Sequence, residues 1–319
     1  FREAEPLARE LVRQRGAPFD HGLLGDVLLD LGRFDEALTA YQTMMDLKPD
    51  LHAYARAAHL RWLAGFVPEA IELLSAAAAA ASPRDPEGAA WVWTRLAQLQ
   101  FQAGARRESR HAWTMALAHQ SNYAPALLLR GRSQLAEGDA AGAVESLRRA
   151  AQINPLPEYE WALSEAYRIA GRIEDARRVE DRLRARGPAE DPRTVALYLA
   201  TRGEDPATAV RLARRELEQR ADVFTHDALA WALAAAGQVE AAREPMTRAL
   251  AHGTQDGRLF LHAAVIASRS GQIDAARSWA AKAAALKHLL LPSEQEHLAR
   301  LALAATAPLH EQTFSTAGR

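Results

Sequence analysis

The stretch LAEGDAAGAVESLRRAAQINP, residues 135–155, carries a glycine, two alanines and a proline at a spacing that suits two antiparallel helices. Gly138 is suited to end a first helix, because glycine adopts the left-handed backbone conformation without the penalty that a Cβ atom brings. Ala143 and Ala150 follow five and twelve residues later, where small side chains let two helices cross closely. Pro155 closes the second helix, since proline cannot continue it, and Pro49 and Pro188 are expected to close two other repeats. The stretch therefore predicts a helical hairpin.

The same pattern recurs along the chain in steps of 32 to 39 residues. Most of the repeated glycines have an alanine five residues later and a small or apolar residue twelve residues later. One hairpin cannot bury its apolar face alone, and stacked hairpins share a continuous core. We therefore predict an all-α solenoid over residues 18–290, with eight repeats that start near 18, 51, 90, 124, 157, 189, 223 and 257. The recurring glycines are Gly32, Gly65, Gly104, Gly138, Gly171, Gly203, Gly237 and Gly271.

The first complete repeat resembles the tetratricopeptide repeat (TPR) family. Its sequence, LLGDVLLDLGRFDEALTAYQTMMDLKP at 23–49, places the expected residue types at the family's signature positions. The resemblance implies a right-handed superhelix of antiparallel helix pairs, in which the first helix of each pair lines a concave groove. The matching residues are Leu24, Gly25, Gly32, Phe34, Ala37, Tyr41 and Pro49.

The N-terminal residues 1–17 fit the register of a second helix. Two interpretations stay open: the second helix of a truncated repeat, or an N-terminal cap that mimics one. The residues that fit the second-helix positions are Phe1, Ala4, Ala8 and Leu11.

At the other end, residues 291–305 resemble one more first helix. A solenoid needs such a helix to cover the last apolar face. We therefore expect a C-terminal capping helix there, and a flexible tail over residues 306–319.

Composition narrows the class of protein. The 319 residues are 49% hydrophobic and 25% charged, with a formal net charge of −1, which is typical of a soluble globular chain. A nucleic-acid-binding body would normally be strongly basic, so we expect no nucleic-acid partner. No apolar run approaches the roughly 20 residues of a membrane span. Cysteine is absent, which excludes disulfides and thiolate zinc sites and leaves cytoplasm and periplasm equally open.

Motifs that carry chemistry are missing from the sequence. It contains no phosphate-binding glycine loop with Lys-Ser/Thr, no nucleophile elbow and no His-Glu-x-x-His. His111 and His119 lie eight residues apart and lack a third ligand. We therefore predict no catalytic residue, no metal site and no cofactor, and expect a chain that is not an enzyme.

The resemblance to the family places the binding residues on the exposed face of the first helices. Aromatic side chains and arginines anchor partners at interfaces, and arginine grips carboxylates with two hydrogen bonds. A protein or extended peptide with acidic or aromatic side chains is the expected partner. The alternative is that the tryptophans pack against neighbouring helices and the arginines are solvated. The candidate groove residues are Arg56, His59, Trp62, Trp91, Arg95, Gln98, Phe101, Leu128, Arg132, Trp161, Glu165, Arg168 and Trp231.

Two functions remain open at this point. The first is a protein–protein interaction scaffold that binds its partner in the concave groove. The alternative is a regulatory or substrate-recruiting arm of a larger enzyme whose catalytic domain lies outside this chain. Self-association, with the end of one protomer in the groove of another, is a third and weaker interpretation. The asparagine of the two-carboxylate clamp that some family members use is absent at the ninth repeat positions, so a co-chaperone function is unsupported.

Overall fold

A computed structural model describes residues 1–306 of the chain. These residues form 18 α-helices and one 3-10 turn, and they contain no β-strand. None of these helices is both long and apolar enough to cross a bilayer. The expected flexible tail lies, apart from Thr306, outside the described residues.

Sixteen of the helices form eight consecutive antiparallel pairs. Their first helices begin at residues 18, 51, 86, 124, 157, 192, 223 and 257. A short helix α1, Ala4–Gln14, precedes the pairs and packs on α2 through the buried Ala8. The pairs are α2 Pro18–Asp30 with α3 Phe34–Leu47, α4 Leu51–Leu63 with α5 Val67–Ala79, α6 Pro86–Gln102 with α7 Arg106–His119, α8 Ala124–Ala136 with α9 Ala140–Ile153, α10 Pro157–Ile169 with α11 Ile173–Glu190, α12 Pro192–Arg202 with α13 Pro206–Gln219, α14 Val223–Ala235 with α15 Val239–Leu250, and α16 Gly257–Arg269 with α17 Ile273–Ala285.

The glycine and alanine pattern has the structural meaning that the sequence predicts. All eight recurring glycines have φ between +68° and +84°. Gly203 directly follows its first helix, and each of the other seven is separated from its first helix by one residue. The small residues five places later, such as Ala143, are buried where the two helices of a pair cross. Those twelve places later, such as Ala150, are buried as well. Both predictions are confirmed.

Two prolines behave differently from a simple stop signal. Pro188, expected to close a repeat, lies inside α11, which continues to Glu190. Pro245 lies inside α15, which runs without interruption from Val239 to Leu250. Because a proline has no N–H to donate, each of these helices lacks one ladder hydrogen bond at its proline and continues past it.

The superhelix closes on itself. The amide of Ala221, in the loop between α13 and α14, donates to the carbonyl of Asp30 at 2.8 Å. The hydroxyl of Thr254 donates to the carbonyl of Leu63 at 2.6 Å. The first two helix pairs therefore contact the loops before α14 and α16, after one turn of the solenoid.

The C-terminal segment, residues 287–306, lies inside this turn of the superhelix. The 3-10 turn Lys287–Leu289 contacts α6, α8 and α16. The last helix, α18 Pro292–Thr306, packs on α16 and α17, as a capping helix would, and also on α10 and α12. Because α10 and α12 are first helices, the segment occupies part of the concave face.

Two of these glycines distinguish the cost of ending a helix from the contribution of the closed superhelix to stability. Gly65 and Gly138 both have positive φ, at +84° and +81°. A Cβ atom on Gly65 would lie 2.5 Å from the carbonyl oxygen of Gly253, on the facing side of the closure, whereas one on Gly138 meets nothing within 4 Å. We expect Gly138→Ala to lower the free energy of unfolding by about 1–2 kcal/mol, the cost of the left-handed conformation, and Gly65→Ala to lower it by more. Denaturant unfolding measures both. Equal losses would show that the two sides of the closure are not in contact in solution.

Candidate binding chamber

Closure of the superhelix turns the concave face into a cavity of about 880 Å³, the central chamber. Its wall comes mainly from first helices and from the loops that close the turn. Nine of the thirteen sequence-predicted groove residues line it. They are His59, Trp62, Trp91, Arg95, Gln98, Phe101, Leu128, Arg132 and Trp161.

A more open cavity of about 690 Å³, the side pocket, adjoins the chamber. The two cavities share His59, Trp91, Arg95 and Tyr123 in their linings. Arg56, another predicted groove residue, lines only the side pocket. The four shared residues therefore mark the passage between the side pocket and the chamber.

Arg95 stands at this passage. Its guanidinium donates to the side-chain oxygen of Gln98 and to Nδ1 of His59, each at 3.0 Å, and lies 5.8 Å from the ring centre of Trp62. No carboxylate pairs with it among residues 1–306. Burial lowers the pKa of Arg95, the direction expected of a cation that lacks a counter-anion.

His59 is held neutral beside Arg95. Burial, reinforced by the charge of Arg95, lowers the pKa of His59 to about 3. Its Nδ1 atom accepts the hydrogen bond from Arg95, so the neutral ring carries its proton on Nε2. The histidine thereby orients the guanidinium without adding a second positive charge.

Two other arginines of the chamber wall already have carboxylate partners. Arg193 pairs with Asp222 at 3.1 Å, and Arg220 contacts Glu216 at 3.0 Å and Asp30 at 3.8 Å. Burial outweighs the attraction of Arg220 and raises the pKa of Asp30 to about 6. The contact between Arg220 and Asp30 joins repeats that face each other across the turn.

Arg258 is satisfied by the C-terminal segment. It forms an ion pair with the buried Glu294 at the start of α18, and 27% of its own side chain is exposed. Although burial opposes protonation, the charge of Glu294 raises the pKa of Arg258, in contrast to the lowered pKa of Arg95. The two half-buried arginines therefore differ in whether the described residues supply an anion.

Trp62, Phe101 and Leu128 are buried in the wall rather than displayed on it. Trp62 donates to the side chain of Gln102 at 2.9 Å and stacks on Phe224 of the facing repeat, with ring centres 5.6 Å apart. The stack of Trp62 on Phe224 joins the two sides of the closed turn, which the sequence pattern alone does not reveal.

Three predicted groove residues are buried against other parts of the chain. Trp161 is 2% exposed and donates to Glu165, which accepts hydrogen bonds from the backbone and hydroxyl of Ser293. Trp231, also 2% exposed, stacks on His262 with ring centres 4.2 Å apart. Ser293 at the start of α18 covers Glu165, and His297 of the same helix packs edge-on against Trp231, with ring centres 5.3 Å apart.

Arg168, Arg56 and Arg132 are engaged within the chain. Arg168 forms two hydrogen bonds with Glu180 of α11, at 2.7 and 2.8 Å. Arg56 binds Asp26 in the same way, at 2.7 and 2.9 Å. Arg132 donates to the carbonyl of Leu289 at 2.6 Å. Of the predicted groove residues, Trp91, Arg95 and Gln98 remain the ones best placed to meet a ligand.

Sequence reasoning missed the opposite wall of the chamber and its filling by the C-terminal segment. Asp222 and Asp256 cap the helices α14 and α16, and they read as loop residues in the sequence. One signal was available: Leu289–Leu291 form an apolar run outside any helix pair. A run of that kind in a linker indicates a segment that is buried against something else.

The neutral state of His59 predicts a pH effect. The pKa of His59 is about 3 in the folded chain and near 6.5 in the unfolded chain, so the unfolded chain binds the proton first as the pH falls. Stability that is present above pH 6.5 is therefore lost between about pH 6.5 and 3. We expect His59→Gln to make the decline in the free energy of unfolding shallower over this range. Denaturant unfolding at a series of pH values measures it, with His111→Gln, at an exposed histidine, as the control. Parallel curves for parent and His59→Gln would contradict the assignment.

Comparison with known proteins agrees with the repeat architecture. Residues 21–51 match the family model described as a tetratricopeptide repeat. No curated protein matches the sequence.

Several solved structures resemble parts of the fold. A thermophilic TPR protein of Thermus thermophilus, TTC0263, is 22% identical, with a TM-score of 0.42, over 68% of this chain and 100% of its own. The APC/C hetero-tetramer Cut9–Hcn1 is 16% identical, with a TM-score of 0.48, over 94% of this chain and 58% of its own. The human IFIT1 dimer with PPP-AAAA is 15% identical, with a TM-score of 0.48, over 92% and 73%. All three TM-scores lie below 0.5, so we draw no conclusion from them.

Proposed function

We propose that this chain, a tetratricopeptide repeat protein, is an interaction scaffold that binds an extended acidic segment of a partner protein at the passage between the side pocket and the central chamber. The observation that carries the proposal is the guanidinium of Arg95, which has no carboxylate partner among residues 1–306. A carboxylate from a partner would complete it.

The comparison with the other chamber arginines supports a site at Arg95. Arg132, Arg193 and Arg258 have carboxylates within 4 Å, at Glu158, Asp222 and Glu294 in turn. Arginine binds carboxylates through two parallel hydrogen bonds, and a half-buried charge such as that of Arg95 is less stable without a partner than with one. An acidic side chain that reaches Arg95 removes that cost. The free energy of binding then includes both the new ion pair and the relief of the unpaired charge.

Aromatic rings beside Arg95 favour a ligand with an aromatic or apolar group next to its carboxylate. Trp91 is half-buried and lines both cavities, together with Tyr123. A ring of this kind offers a large apolar face at small entropic cost, and such tryptophans commonly dominate binding energies. Trp91 is therefore the proposed anchor and Arg95 the proposed source of charge selectivity.

The proposal predicts how two variants behave toward a peptide selected from a random display library against the intact chain. Trp91→Ala should weaken binding about 30-fold or more, which corresponds to about 2 kcal/mol. Arg95→Gln should weaken binding of an acidic peptide and leave a variant peptide, with its acidic residue replaced by the amide, little affected. Titration calorimetry with both peptides measures these effects.

Arg177→Gln serves as the matched control. Arg177 lies on the exposed second helix α11, where it pairs with Glu174. The Arg177→Gln variant should bind the selected peptide with the affinity of the parent. Two outcomes would contradict a site at the passage. One is that the selected peptides carry no acidic residues. The other is full affinity in Trp91→Ala and Arg95→Gln together with loss of binding in Arg177→Gln.

A further inference from the structure

A separate cleft lies between α7 and α8, where the third and fourth helix pairs meet. It has a volume of about 80 Å³, well above the roughly 10–15 Å³ that one water molecule needs. Three arginines reach it from two helices: Arg106 and Arg110 from α7, and Arg130 from α8. None of these residues lines the central chamber or the side pocket.

Two polar groups of this cleft are buried without a hydrogen-bond partner. They are the Nε atom of Arg130 and the hydroxyl of Ser133, whose residue is only 7% exposed. Most buried polar groups in proteins are satisfied, and an unsatisfied one is costly. The ring of Trp113 lies 5.5 Å from the Arg130 guanidinium and fixes its plane. Both unpartnered groups belong to the wall of the same small cavity.

The charges around the cleft do not balance. Glu137 is the carboxylate in its lining, and it is already paired with Arg110 at 2.7 Å. Arg106 has neither an ion pair nor a hydrogen bond through its side chain among residues 1–306. It begins α7, where the helix dipole is positive and the N-cap residue Ala105 supplies no side-chain acceptor. A cation at this end of a helix is unfavourable unless an anion accompanies it.

We propose that this cleft binds a tetrahedral oxyanion of the phosphate class, either free or as the phosphate of a phosphorylated side chain. Arg106 and Arg130 supply charged donors, the Ser133 hydroxyl supplies a neutral donor, and Trp113 holds Arg130 in place. Arginine matches phosphate through its planar set of N–H donors. The site uses no residue of the passage at Arg95, so it stands independently of the function proposed above.

The test is titration of the intact chain with inorganic phosphate at constant ionic strength, followed through the Nε–H signals of the arginines by NMR. We expect saturable shifts of the Arg130 signal, and binding about tenfold weaker or more in Arg106→Gln and in Arg130→Gln. Arg107→Gln is the matched control, because Arg107 is the exposed neighbour of Arg106 and does not line the cleft. Thermal unfolding without phosphate verifies that each variant is folded.

A second titration with a short phosphoserine peptide and its unphosphorylated form separates the two sources of phosphate. Tighter binding of the phosphopeptide than of inorganic phosphate supports recognition of a phosphorylated partner, and equal or weaker binding supports recognition of the free ion. Absence of saturable binding for both ligands, or equal affinities in the parent, Arg106→Gln and Arg130→Gln, would overturn the proposal.

Discussion

The close crossing of two helices at a small side chain is the constraint on which the rest of the structure depends. Alanine or serine at each crossing, with glycine at each turn between the helices, gives every pair nearly the same geometry. A constant rotation from one pair to the next then accumulates into a superhelix. After one turn, the loop that holds Ala221 meets the end of α2, and the backbone of Asp30 accepts its hydrogen bond. The central chamber follows from that meeting.

Closure divides the concave face into two parts with different chemistry. Toward the C-terminus, the chain satisfies its own groove: Ser293 binds Glu165, and Glu294 binds Arg258. Toward the N-terminus, Arg95 has a neutral histidine and an amide beside it instead of an anion. Groove positions thus supply structural contacts where Ser293 and Glu294 bind them, and a candidate recognition site at Arg95, which none of the ion pairs of the described residues includes.

Local features were predictable from the sequence, and long-range ones were not. The left-handed glycines and buried alanines depend on neighbours within one hairpin, so spacing alone identifies them. Trp91 and Trp161 both lie at predicted groove positions of first helices, yet Trp161 is buried and Trp91 is only half-buried. The burial of Trp161 depends on Tyr198 of α12 and Arg258 of α16, and on Ser293, which binds its partner Glu165 from far along the chain. The closure likewise depends on a rotation summed over six pairs, which no single motif encodes.

Hydrogen exchange at the amide of Ala221 tests the closed superhelix most directly. This amide lies in a loop, and its hydrogen bond goes to the carbonyl of Asp30 on the far side of the closure. The closed structure predicts that it exchanges slowly, as amides inside a hydrogen-bonded helix do, while the amide of Ser121 in the exposed loop between α7 and α8 exchanges fast. Exchange of Ala221 at the rate of Ser121 would show an open superhelix in solution and would contradict the closed turn that forms the chamber.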